Sequence, residues 1–107
     1  MMHFILREMG RPTSALDTIY SGVFEPVHKQ VCAIWAAATG DDAESERTRV
    51  QVFTLIGQVV YFRVAREAVL RRMGWQTLGA AEIDLVTKVA IDNVAAIVAG
   101  RRATNGR

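Results

Sequence analysis

Residues 55–75 read LIGQVVYFRVAREAVLRRMGW, and this stretch decides the fold class. Arg71 and Arg72 put positive charge where a helix C-terminus is negative, and Gly74 supplies a stop. The segment therefore reads as a helix, and with its upstream sequence as one long helix from about Ala43 to Met73. Its first half is apolar on more than one side. Val52, Ile56 and Val59, with Phe62 or Arg63, trace one stripe; Phe53, Val60 and Val64 trace a second, with Gly57 at the missing step. One stripe suffices to close a monomeric bundle, so the second side needs a cover.

Outward from this helix the pattern stays helical. AAEIDLVTKVAIDNVAAIVAG (80–100) is a second two-faced helix, on which Ile83, Val86, Ala90 and Ile97 form one row and Leu85, Val89 and Val94 another. Upstream, EPVHKQVCAIWAAAT carries Pro26 in its first turn and Val27, Val31, Ile34, Trp35 and Ala38 on one face, and Gly40 ends it. TSALDTIY has Ser14 three residues before Asp17, a capping-box spacing, and is expected to stop near Ser21–Gly22. Asp41 and Glu44 repeat that spacing ahead of the long helix. HFILREM reads as a short helix stopped by Gly10 and Pro12. No stretch has the two-residue period of a strand. The expectation is one all-α unit of about five helices over residues 1–107, with 101–107 as a flexible tail.

Composition bounds the function. The chain has 107 residues, half of them hydrophobic, a net charge of +2 and one cysteine. That excludes an internal disulfide framework and suits a reducing, cytoplasmic setting. No run approaches the roughly 18 apolar residues of a membrane span, and no signal peptide precedes the first charges.

A chain this short cannot surround two helices that are apolar on both sides. Leaving six or seven Val, Ile or Phe side chains wet forgoes roughly 10 kcal/mol. Pairing the last two helices with their copies about a two-fold axis makes an intersubunit four-helix bundle and buries them. The expected interface is Phe53, Gly57, Val60 and Val64 on one helix and Val86, Ala90, Val94 and Ile97 on the other. Packing wholly within the chain is the alternative.

Three segments in order, REMGRPTSALD, GVFEPVHKQVCAIWA and IGQVVYFRVAREAVLRRMGW, resemble the C-terminal regulatory domain of TetR/AcrR-type transcriptional repressors. The likeness runs from about Phe4 to Gly100. It implies an all-α effector-binding and dimerisation domain whose last two helices make the dimer bundle. Nothing here corresponds to the three-helix DNA-binding domain of such proteins, so DNA contact is expected only through an N-terminal half outside this sequence. A small apolar or amphipathic effector would then lower operator affinity in the complete protein. The other reading is a dimerisation module without an effector.

Effector pockets of that family imply a mostly apolar lining with a few polar anchors. The candidates here are Met9, Phe24, His28, Trp35, Phe53, Gln58, Tyr61 and Phe62. For Trp35 and Phe53, core packing is the commoner role of an aromatic at helical spacing. Gln58, mid-helix among apolar neighbours, must bond a backbone carbonyl, its symmetry mate, or a ligand or pocket water. Glu25, His28 and Cys32 share a face, but a closed zinc site needs about four ligands and catalysis needs a held base. No metal, cofactor or catalytic role is expected, and Cys32 reads as a small buried residue. Arg63, Glu67 and Arg71 are spaced for exposed ion pairs. Arg63 or Arg66 is the alternative anchor for an anionic effector.

Overall fold

In the computed structural model, residues 14–106 are described. They are helical throughout apart from connecting turns. Helix α1 spans Ser14–Ile19; a π-helical segment, Tyr20–Phe24, leads without interruption into α2, Glu25–Thr39. Helix α3 is Glu46–Val64, α4 Arg66–Met73 and α5 Ala80–Asn105. The expected all-α class is what is found, although the expected number of about five is met only by segments of fewer, partly continuous rods. The short helix expected at HFILREM, and the start of the Ser14–Asp17 capping box, lie outside the residues whose side chains are described.

The expected stop at Ser21–Gly22 does not occur. Pro26 has no N–H to give to the Gly22 carbonyl, and its ring crowds that turn. The helix widens to π geometry just upstream, where Glu25 N–H bonds to the Tyr20 carbonyl, and passes on into α2. At the far end Gly40 takes φ +86 and Gly74 φ +69, the left-handed stops read from the sequence. Gly74 completes a Schellman turn: Trp75 N–H bonds to the Leu70 carbonyl at 3.0 Å, and Leu70 is buried.

The long helix differs from expectation at both its start and its middle. Its cap is Ser45, not Asp41: Ser45 Oγ accepts the Thr48 N–H at 3.1 Å and donates onward to Thr48 Oγ1 at 2.9 Å. Thr48 is buried, so Ser45→Ala removes a cap and strands a hydroxyl. The expected loss is about 1 kcal/mol of unfolding free energy, read from urea melts at fixed protein concentration. The helix then breaks at Ala65 (φ −101, ψ 28) before α4 begins. The final helix, in contrast, does not end at Gly100. It continues to Asn105, so most of the expected flexible tail is helix, tied down by Arg101, Arg102 and Asn105.

The core is small. Cys32 and Trp35 of α2 close on Val52 of α3, with Val31, Leu55, Ile97 and Val98 around them. The molecule measures 47 × 38 × 18 Å, and its thinnest dimension leaves room for little more than two helix layers. Its radius of gyration is 16.3 Å, against about 13 Å for a compact chain of this length. Its accessible surface is 7788 Å², where a compact monomer of the same mass exposes roughly 5,900 Å². The excess is apolar in character: Val59, Tyr61, Val64, Leu85, Val89 and Ile91 are each about half or more exposed.

Candidate functional site

Helices α3 and α5 lie side by side and form a slab with two faces. Residues Val52 of α3 and Val98 of α5 pack on α2, and the Arg102 side chain bonds to the Ala38 carbonyl, so α2 defines one face. With about 100° of rotation per residue, Ile56 and Val59 fall on that same side of α3, and Ile91 and Ala95 on that side of α5. Gly57, Tyr61 and Val64, with Leu85, Val89 and Ala96, fall on the opposite, open face. Among the described elements only α4 borders that face, along one side.

Each face carries a groove. On the α2 face, Leu55, Val59, Ile91, Val94 and Ala95 line a hollow of about 550 Å³. Through Val59, Val86 and Thr87 it continues into a smaller one of about 200 Å³ that reaches Arg63, Leu78 and Ile83. On the open face, a groove of about 560 Å³ runs between α4 and α5 past Tyr61, Val69, Arg72, Leu85 and Val89. Both large hollows have the size of a small-molecule site.

The residues expected to line one pocket are dispersed. Trp35 is core, and its Nε1 donates to Asp41 Oδ2 at 3.0 Å. Phe24, His28 and Phe53 surround a separate cleft of only about 150 Å³ at the α2–α3 end, with the His28 and Phe53 rings stacked 4.1 Å apart. Tyr61 belongs to the open face, whereas Gln58 and Phe62 sit in the seam and reach the grooves on both faces. Met9 lies outside the described residues. Within the chain Gln58 Oε1 accepts from Asn93 Nδ2 at 3.2 Å, across the α3–α5 seam.

The expected dimer residues also divide. Val86, Ala90, Val94 and Ile97 are half-buried along the seam, and Ile97 packs on the core of its own chain. Gly57 and Val64 are exposed, and a side chain at Gly57 would meet open space. Periodicity located the apolar rows of α5, but not which row α3 occupies.

The Glu25–His28–Cys32 face has no free donor set. A carbonyl only accepts, so His28 Nε2 donates to the Arg49 carbonyl at 3.2 Å. Its Nδ1 is then the acceptor facing Cys32 Sγ at 3.7 Å. Burial pushes the Cys32 thiol up, with Glu44 adding to it and Arg49 opposing, so no thiolate is prepared here. The expected Arg63–Glu67–Arg71 ladder is not formed either. Glu67 pairs instead with its neighbour Arg66 at 3.3 Å. Arg63 is left with no ion pair or side-chain hydrogen bond among the described residues. Sequence reading missed Val59, Ile83, Thr87 and Ile91 as groove residues. The available signal was apolar surplus beyond one stripe.

No helix among the described residues is long and apolar enough to cross a membrane. Residues 1–101 match the family model described as "HTH-type transcriptional dual regulator CecR, C-terminal domain". A curated relative, the HTH-type transcriptional dual regulator CecR of Shigella flexneri, is 31% identical over 97 residues. The alignment covers 91% of this chain but 44% of that protein, so the chain spans less than half the length of the relative. The all-helical slab and the match over nearly its whole length agree with the resemblance seen in the motifs, and the chain belongs to the family of CecR C-terminal domains of TetR-type transcriptional regulators.

Proposed function

We propose that this chain is the dimerising and effector-sensing part of a cytoplasmic transcriptional repressor. The open face of the α3–α5 slab takes a second copy, and the α2 face takes a small apolar or amphipathic ligand. The observation that carries this is the slab itself, with apolar side chains half exposed on both of its faces. Each half-wet Val, Leu or Ile leaves about 1 kcal/mol of transfer free energy unrealised. Gly57 and Ala96 on the open face allow close helix approach to a partner, and that face runs the length of both helices. The α2 face is blocked at one end by α2, which suits a hollow better than a flat protein contact.

Transmission follows from the joint at Ala65. Helix α4 is tied to α3 through a single non-helical residue, so a ligand wedged between α3 and α5 at Val59 and Ile83 shifts α4 and the α3 end. Such a shift matters only if the ligand binds the two packings with different affinity. In the complete protein it would alter the spacing of two DNA-binding heads and lower operator affinity.

Sedimentation equilibrium on this chain across a dilution series tests the first half of the reading, with a dimer as the expected mass. An operator-binding titration of the complete protein against a panel of apolar compounds tests the second. A stable monomer overturns dimerisation through this domain. A dimer whose operator binding responds to no compound leaves a dimerisation module and removes the effector.

A further inference from the structure

The α2-face groove carries its own selectivity signal. Its walls are Val59, Ile83, Ile91 and other apolar side chains, yet Arg63 stands at one end with no carboxylate paired to it among the described residues. Glu67, four residues on, pairs with Arg66 instead. Thr87 also lines this end, and its hydroxyl makes no hydrogen bond among the described residues. A cation and a spare hydroxyl at the end of an apolar trough complement a molecule with an apolar body and an anionic head.

We infer that the ligand of this groove is a small amphipathic monoanion, with its carboxylate on Arg63 and Thr87 and its apolar chain along Val59, Ile91 and Val94. This rests on the effector reading above and narrows it to one charge class. The guanidinium fork matches a carboxylate with two parallel hydrogen bonds, which a neutral or cationic head cannot form. The site is open, so salt weakens the charge contribution while the apolar contribution persists.

The test uses decanoate, decanol and decylammonium as probes, titrated calorimetrically into the whole chain below their micellar concentrations. Decanoate is expected to bind about tenfold more tightly than decanol at low ionic strength, and decylammonium more weakly than either. Arg63→Gln should erase the decanoate advantage and leave decanol unchanged, while Arg63→Lys restores part of it. Ala95→Phe, which fills the trough, should abolish all three, so adsorption to the open face is told apart from groove binding. Circular dichroism melts establish that each variant folds. Equal binding of decanoate and decanol, untouched by Arg63→Gln, overturns the anion assignment and leaves the effector groove standing. Absence of Ala95→Phe-sensitive binding by any probe overturns both.

Discussion

Asp41→Ala should destabilise the fold by about 3 kcal/mol, the largest single loss expected outside the apolar core. The Asp41 side chain is only 8% exposed and gathers three partners, two of them from the far end of the chain. Arg101 reaches it through two bonds, Nη2 to Oδ1 at 2.9 Å and Nε to Oδ2 at 3.2 Å. Asn105 Nδ2 donates at 2.7 Å and Trp35 Nε1 at 3.0 Å. Removing the carboxylate leaves donors from α2 and α5 facing one another without an acceptor, and frees the α5 end from the α2–α3 loop. Asp41→Asn keeps the shape but sets an amide donor among those donors, and should cost nearly as much.

The same carboxylate sets an acid limit. Hydrogen bonds from Arg101 first, then from Asn105 and Trp35, hold its carboxyl well below the usual carboxylate range, against the opposing effect of burial. A group whose folded value is depressed contributes stability that is complete above its unfolded value, about 3.9. That stability drains as the pH falls toward the folded value. Urea melts at pH 7 and pH 3 should therefore show a loss on the order of 1 kcal/mol from this group. The Asp41→Asn protein should lack that increment, and an equal pH dependence in both would remove Asp41 as its source.

What could be read from the sequence was set by local chemistry. Gly40 and Gly74 adopt the left-handed geometry that only glycine enters cheaply, and the two-faced rows of α3 and α5 follow directly from helical spacing. What escaped depended on contacts far along the chain. Asp41 read as a helix cap because its true partners, Arg101 and Asn105, lie about sixty residues away in a stretch that looks like a polar tail. Gln58 pairs with Asn93, thirty-five residues on. The break falls at Ala65, the residue type with the best helix propensity, so no local signal marks it. On its far side, Leu70 is buried and the Schellman turn at Gly74 fixes α4 by tertiary packing. The candidate pocket was scattered for a related reason: aromatic residues sort by which neighbour covers them, and α2 takes Trp35 into the core while leaving Tyr61 to the open face.

Val89→Glu should split the proposed dimer, raising its dissociation constant about a thousandfold or more, whereas Ile91→Glu should leave the mass unchanged. The two residues are neighbours on α5 and similarly exposed in the single chain, at 50% and 61%. They differ in the face they serve: Val89 lines the open-face groove with Tyr61 and Leu85, and Ile91 lines the α2-face groove with Val59. A glutamate at 89 would enter the desolvated interface of the proposed dimer, a penalty of about 4 kcal/mol or more. A glutamate at 91 stays on the groove side, where it should reduce decanoate binding and nothing else. Sedimentation equilibrium of both variants reads the outcome directly. A monomeric Ile91→Glu with a dimeric Val89→Glu would exchange the roles of the two faces, moving the ligand to the Arg72 end of the open groove. Two intact dimers would overturn the assignment of the interface to the Val89 row of the open face.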